Sequence, residues 1–402
     1  MNLLYLGYWS VNDSLTASTI SPHLQILNEL SNISKIVYVS IERGNDVKAE
    51  PFLASLSKVK HVPLYSRDLG INFLTKIGDI IRFPIALEKT VKKEEIDHVL
   101  CRTASAGAFG YMLYKRTGLP FYVESFEPHA DYMLESGVWS SKSPQYLMQR
   151  YWEGKIIEHA KGLMPVAENY AEYLQQLGVE ETRIHTIPCN VPVEKFYFSE
   201  QDRQQKRKEY RMSAGETVGI YAGKFGGIYY NEEAFWLFKK AFDKLESFRL
   251  VILTPENILE VERKLSQYNI DRDKVIIDFV AHAEIPKFLS MADFAFSPIK
   301  PAASRKFCSP IKDGEYWANG LPILLTKGVG DDDQIINETE SGAIFDLAEP
   351  KTVDGALDII KNIIQKRDYR KQIMQVAIDH RSFQLSQAVY QQLFLEQTDL
   401  TN

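Results

Sequence analysis

The chain has 402 residues, too many for one ordinary core and comfortable for two domains of roughly 150–200 residues. Its 45% hydrophobic and 25% charged content is that of an ordinary globular protein, and a net charge of −6 argues against general nucleic-acid binding, which needs a basic face. No apolar run approaches the roughly 20 residues that span a bilayer.

MNLLYLGY, at the start, has no basic n-region or cleavage site and reads as a strand, 3–7, rather than a signal peptide. A polar loop follows over 9–21, and Pro22 opens a helix to about residue 30 with apolar spacing at Leu24, Ile26, Leu27 and Leu30. Strands are predicted at 36–41 and 59–64. GxGxxG is absent after the first strand, which counts against NAD or FAD. Residues 71–93 read as one or two helices, interrupted at Pro84, with Lys76, Arg82, Lys89, Lys92 and Lys93 set among Phe73, Leu74, Ile77, Ile80, Ile81 and Phe83. The plain reading is an amphipathic helix covering a sheet. The sharper one is a basic, apolar face in peripheral contact with an anionic inner membrane.

A strand at 98–102 ends on Arg102, a Gly/Ala-rich helix covers 104–115, and a strand at 121–123 delivers Glu124, Glu127, His129 and Asp131 from its carboxyl end. Ligands of open α/β sheets sit at that end of the strands, so this cluster is well placed for chemistry. Helix 145–159, strand 162–167 and helix 169–177 follow. The extended run IHTIPCNVPVEKFYF and the polar run 199–211 mark a change of composition, which puts a domain boundary between 191 and 211. The same alternation then restarts. Strands are predicted at 217–222, 250–254, 275–280, 294–298, 321–325 and 342–345. Helices are predicted at 231–245, 255–268 (with Pro255 in first position), 284–291, about 311–319, 331–340, 353–367 and 370–400. Strands alternating twice with helices predict two doubly wound, Rossmann-like α/β domains, 1–195 and 196–385, with a C-terminal helix, 386–402, able to pack back on the first.

Three stretches of the second half carry chemistry. In YAGKFGG a strand runs into Gly223-Lys224 and a glycine-rich turn. Such turns let backbone amides approach a phosphate, and Lys224 adds a point charge. In SRKFCSPIKDGE, Arg305, Lys306 and Lys312 lie close together and suit a diphosphate leaving group. Lys312 is misplaced for the dipole at a helix start unless an anion shares the site. Glu315, one turn on, can accept two hydrogen bonds from a ribose diol. Asp331 and Asp333 have the spacing of a metal-binding DxD, but Asp before QIINE also makes a good helix start. Three distant cysteines (Cys101, Cys189 and Cys308) and eight scattered histidines without an HExxH pair show no metal-ligand spacing. They fit a metal-free protein of a reducing cytoplasm with no bound cofactor.

With these residues in view, the second half resembles the nucleotide-binding domain of GT-B fold glycosyltransferases. The likeness is to the large retaining, family 4-like group whose carboxy half carries a paired-glutamate motif. It runs through Glu315-Tyr316-Trp317-Ala318-Asn319-Gly320-Leu321-Pro322, through HAEIPKFLSMADFAFSP and YAGKFGG, and through the linker-like IPCNVPVEKF. The resemblance implies two domains facing across a cleft and a nucleotide-diphosphate sugar as donor. Glu315 would hold the ribose, Gly223 and Lys224 the diphosphate, and Glu284 and Ile285 would lie near the base. Glu124, Glu127 and His129, joined by Arg102, would face the acceptor, a glycan or lipid-linked hydroxyl in cell-surface polysaccharide synthesis. One departure stands out: Phe307 occupies the position of the family's first glutamate, and "P-x-K-x-x-E-Y" points to a subgroup with Lys312 engaged instead. The competing expectations are a GT-B sugar-nucleotide epimerase and a non-catalytic GT-B partner protein.

Overall fold

A computed structural model describes residues 1–394 other than 14, 45–50, 69 and 71. Ile71 and residues 395–402, both within predicted helices, lie outside the described residues, as does the side chain of Phe73.

The chain divides into two compact units: Met1–Pro188 together with the chain from Phe383 onward, and Cys189–Ser382. The first is built on β1 (Asn2–Leu6), β2 (Lys35–Glu42), β3 (Val59–Tyr65), β4 (His98–Arg102), β5 (Phe121–Phe126) and β6 (Gly162–Pro165), in the order β3-β2-β1-β4-β5-β6. The second uses β7 (Thr217–Ala222), β8 (Phe248–Leu253), β9 (Val275–Asp278), β10 (Phe294–Ser297), β11 (Ile323–Thr326) and β12 (Gly342–Phe345), in the order β12-β11-β10-β7-β8-β9. All the pairings are parallel, and the two topologies are the same. Each is a doubly wound α/β sheet. The central strands are short apolar runs buried along their whole length, as helices on both faces require. In each sheet the order reverses once, between β1 and β4 and between β7 and β10, and open α/β sheets bind their ligands at the carboxyl ends beside such a reversal.

Several expectations are corrected by packing. The polar run 199–211 contains a helix, Glu200–Glu209, capped by Ser199. Arg203 and Arg207 from this helix reach Asp293 at 2.6 and 2.7 Å, so the run is a docked element of the second unit, which begins at Cys189. The helix Asn72–Glu94 is continuous through Pro84. The missing N–H and the ring's crowding cost about 3 kcal/mol, which burial of Phe83, Leu87 and Val91, with Phe83 packed on Phe109, offsets. Pro255 lies ahead of its helix, which Asn257 caps by accepting from the Leu259 N–H. The predicted helix 370–400 is two helices, Tyr369–Arg381 and Phe383–Phe394, parted by extended Ser382 where the chain passes from one unit to the other.

Candidate functional site

At the reversal point of the second sheet, Gly223 follows β7 and the turn beyond it runs antiparallel to the chain leaving β10. The Tyr230 N–H donates to the Pro298 carbonyl (2.9 Å) and the Lys300 N–H to that of Ile228 (2.8 Å). This fold-back brings Tyr229 over the helix Ile311–Ala318, whose Lys312 Nζ lies 3.7 Å from the centre of the Tyr229 ring and 5.3 Å from that of Tyr221. The ammonium is buried and donates no hydrogen bond. Burial pulls its pKa down to about 8, against the opposing pull of Asp313 and Glu315. Gly223 has φ +152°, and a Cβ there would run into Lys312 Nζ. The glycine therefore serves close approach as well as turn geometry. Gly223→Ala should displace the lysine and cost about 1–3 kcal/mol, readable as a lower urea midpoint with unchanged slope.

One turn further along the helix, Glu315 is 8% exposed and its Oε1 lies 2.9 Å from His282 Nε2. That hydrogen bond is the main reason the His282 pKa is raised. The pair ties the turn His282–Glu284, which leads into the helix Ile285–Met291, to the Glu315 carboxylate. Glu284 itself is ion-paired with Lys287 at 2.9 Å. Beneath the helix, wholly buried Asp313 sits against Asp332, which Arg381 pairs. Burial first, then the neighbouring carboxylate, push Asp313 well above the usual range. Tyr316 anchors the helix to β7, its hydroxyl accepting from the Ala222 N–H at 3.0 Å.

The cations expected at a diphosphate are not equivalent. Lys312 is aimed at the Gly223 turn, whereas Lys224 has an exposed side chain and contributes to the turn through its carbonyl, which accepts from the Tyr221 hydroxyl. Arg305 is 2% exposed, donates to Ser304 Oγ at 3.0 Å and is close enough for its charge to act on Tyr229. Lys306 is exposed, with Nζ 4.8 Å from the centre of the Phe307 ring. Phe307 is buried where the resemblance calls for a carboxylate. Asp333 accepts from the Gly328 N–H at 2.6 Å and caps a turn. Among the described residues, no three His, Cys, Asp or Glu side chains are grouped to hold a metal ion.

In the first unit the predicted cluster separates into two. Arg102 and Glu124 are in register across β4 and β5, 3.1 Å apart. Glu124 also accepts from the hydroxyls of Tyr5 and Tyr390. His23, its pKa lowered to about 3 by burial and by Arg102, stays neutral. Its Nε2 then accepts from Arg102 (3.1 Å) and its Nδ1 donates to the Tyr390 hydroxyl (2.7 Å), which closes the ring. Burial pushes the Glu124 carboxyl up, but Arg102, His23 and the two hydroxyls outweigh it and hold it below the ordinary range. Glu124 is 0% exposed and its oxygens are already engaged. As groups that meet an acceptor, Glu124 and Arg102 are therefore corrected: they tie the helix Phe383–Phe394 to the sheet.

Glu127 and His129 remain on the half-buried turn beyond β5. Burial and the Lys76 charge lower the His129 pKa, so its imidazole is neutral near pH 7. Asp131 pairs with Arg150 at 3.1 Å. The backbone is strained here. Thr103 (φ +77°) and Ser125 (φ +49°) follow Arg102 and Glu124, and such conformations collect at functional sites.

Residues 50–190 match the family described as "Glycosyl transferase 4-like domain". The chain has the GT-B fold, and its stretch 50–190 is similar to a glycosyl transferase 4-like domain. Sucrose-phosphate synthase from Thermosynechococcus elongatus superposes with a TM-score of 0.73 at 13% identity, over 100% of both chains. HepE of Anabaena, solved with UDP, gives 0.69 at 11% identity over 98% of this chain and 99% of its own. The lipopolysaccharide outer core galactosyltransferase WaaB gives 0.67 at 12% identity over 98% and 100%. At these identities the likeness is one of fold. No curated protein matches the sequence. Tyr229 and His282 were not among the predicted site residues. The signal for Tyr229 was its place after a glycine-rich turn; His282 opens the HAEIPKFL stretch, but nothing local marks its pairing with Glu315, 33 residues away.

Proposed function

We propose that the chain is a hexosyltransferase that moves a sugar from a nucleotide-diphosphate donor to a hydroxyl of a glycan or lipid-linked acceptor in cell-surface polysaccharide synthesis. The observation that carries this reading is the buried, unpartnered Lys312 ammonium held against the Gly223 turn. A buried cation without a hydrogen-bond acceptor is costly, and a diphosphate seated against the glycine turn is a ligand that would satisfy it. Glu315 would then take the ribose diol, with His282 holding its carboxylate in place. The base would lie along the 282–285 turn. UDP and UDP-glucose, found bound to HepE, are the first donors to try.

As the sugar departs, the charge on the diphosphate falls to Lys312 and the turn amides, without recourse to a protein-held metal. Retention at the anomeric carbon accompanies the family resemblance. Neutral His129, with Glu127 beside it, is the group suited to meet an acceptor hydroxyl. On the helix Asn72–Glu94, Leu74, Ile81 and Ile85 are exposed ahead of Lys89 and Lys93, a face fitted to peripheral contact with an anionic membrane on the cytoplasmic side.

Calorimetry with UDP, GDP and their sugar conjugates tests the donor assignment. At least one should bind between micromolar and low-millimolar, and Glu315→Ala should weaken it by about tenfold or more, roughly the worth of a hydrogen bond to a charged group. Absence of binding across the panel would overturn the transferase reading. Unchanged affinity in Glu315→Ala would overturn the ribose assignment alone.

A further inference from the structure

The first unit holds a cavity of about 290 Å³ that the donor chemistry does not use. It lies beyond the carboxyl ends of β1, β2 and β3 and is walled by the helices Asn72–Glu94, Thr103–Thr117 and Pro144–His159. Phe83, Phe109, Met112 and Trp152 make its walls apolar. Its charged lining divides unevenly. Asp79 is neutralised by Arg82 at 2.8 Å and accepts from Ser66 Oγ at 2.5 Å, and Asp68 accepts from the Gly70 N–H at 2.8 Å. Among the described residues, by contrast, Lys76 pairs with no carboxylate, and Arg43 lies 5.5 Å from the centre of the Tyr8 ring. An apolar pocket with a few convergent polar groups takes a ligand that is apolar over most of its surface. With Asp79 neutralised by Arg82, Lys76 and Arg43 outweigh Asp68 by one positive charge at the edge, which favours a negative charge on that ligand.

Two further features agree. The outer surfaces of two of the walling helices are also apolar: Leu74 and Ile81 on one are 44% and 62% exposed, and Leu147 and Tyr151 on the other are 56% and 54% exposed. In addition, Lys76 is close enough for its charge to act on His129, so an anion seated by Lys76 would lie in the neighbourhood of the neutral imidazole.

We propose that this cavity is the acceptor site and that the acceptor is an anionic amphipath, its apolar aglycone against Phe83, Phe109, Met112 and Trp152 and its phosphate-type group against Lys76 and Arg43. The inference rests on the transferase reading and narrows its acceptor from a glycan or lipid-linked hydroxyl to a molecule with an apolar anchor and a negative charge.

Titration of the full chain with octyl phosphate below its micelle concentration, followed by tryptophan emission, tests it. A saturable change is expected that disappears in Trp152→Phe. Ala108→Trp, which fills the cavity, should abolish saturation. Lys76→Glu, a surface change that spares the core, should raise the apparent Kd roughly tenfold by reversing one charge near the anion. Inorganic phosphate should produce no saturable signal, and neutral octyl glucoside should bind at least severalfold more weakly. The proposal falls if octyl glucoside binds as tightly as octyl phosphate, or if neither Ala108→Trp nor Lys76→Glu changes the titration. UDP calorimetry on the same preparations separates the two levels. Octyl phosphate failing while UDP binds overturns the acceptor inference alone, whereas UDP failing on the wild type overturns the donor reading whatever the cavity does.

Discussion

Replacing Lys312 with methionine is expected to weaken UDP binding by a hundredfold or more at pH 7, to lower kcat/KM by a similar factor, and to leave the fold intact. A hydrogen bond to a charged group contributes about 1.5–3 kcal/mol, and in this site both partners are charged and largely removed from water. The same substitution should raise stability. The native pKa of about 8 lies below the ordinary lysine value of 10.5. Below pH 8 the native state therefore carries a buried ammonium at full cost, on the order of 2–4 kcal/mol from the size of the shift. Between about pH 8 and 10.5 the unfolded chain binds more protons than the native one, so wild-type stability rises with pH through that window. Urea denaturation should accordingly show Lys312→Met more stable than wild type at pH 7, the gap closing as the pH passes 8. In the wild type, UDP affinity should decline over the same range as the ammonium is lost, and in the variant it should not. Equal UDP affinity in the two proteins at pH 7 would remove Lys312 from the donor site. A site that stores instability until its ligand arrives fits the general exchange of stability for function.

The second large effect lies one layer below. Arg381→Met should destabilise the protein by about 3–5 kcal/mol, because removing one partner of a buried pair leaves the other charge uncompensated. Arg381 is 2% exposed and its partner Asp332 0% exposed, with Asp313 alongside and the guanidinium 5.5 Å from the centre of the Trp317 ring. The arginine also packs against Gly314, where an added Cβ would come 3.1 Å from Arg381 Cγ. Losing it loosens the helix that presents Lys312 and Glu315. Asp332→Asn should recover much of the loss in the double variant, since the uncompensated carboxylate goes with it. A change below about 1 kcal/mol in urea denaturation, or the absence of rescue, would show that the pair does not hold this helix.

The fold was legible because its signals are local. Apolar runs such as Leu321–Leu325 mark strands buried on both faces, and most helices were found through apolar spacing. What local signals missed is equally specific. The run 199–211 marks only a change of composition in the sequence, yet Arg203 and Arg207 dock it through Asp293, some 90 residues away in sequence. Ser382 carries no turn signal, and the helix breaks there because the chain leaves one unit for the other. Pro84 marks a break by its chemistry, but tertiary burial carries the helix through it.

The site divides in the same way. Two α/β domains, the glycine turn at Gly223, and a helix that starts with Lys312 and Glu315 and is closed by Gly320 could be read from the residues alone, because backbone geometry and spacing along one element are written locally. Which groups do what came from long-range packing. It turned Lys312 rather than Lys224 into the buried cation, withdrew Glu124 and Arg102 into a ring with His23 and Tyr390, and set His282 on Glu315. Burial and long-range hydrogen bonding depend on which distant residues close over a side chain, and no pattern in the neighbouring residues encodes that.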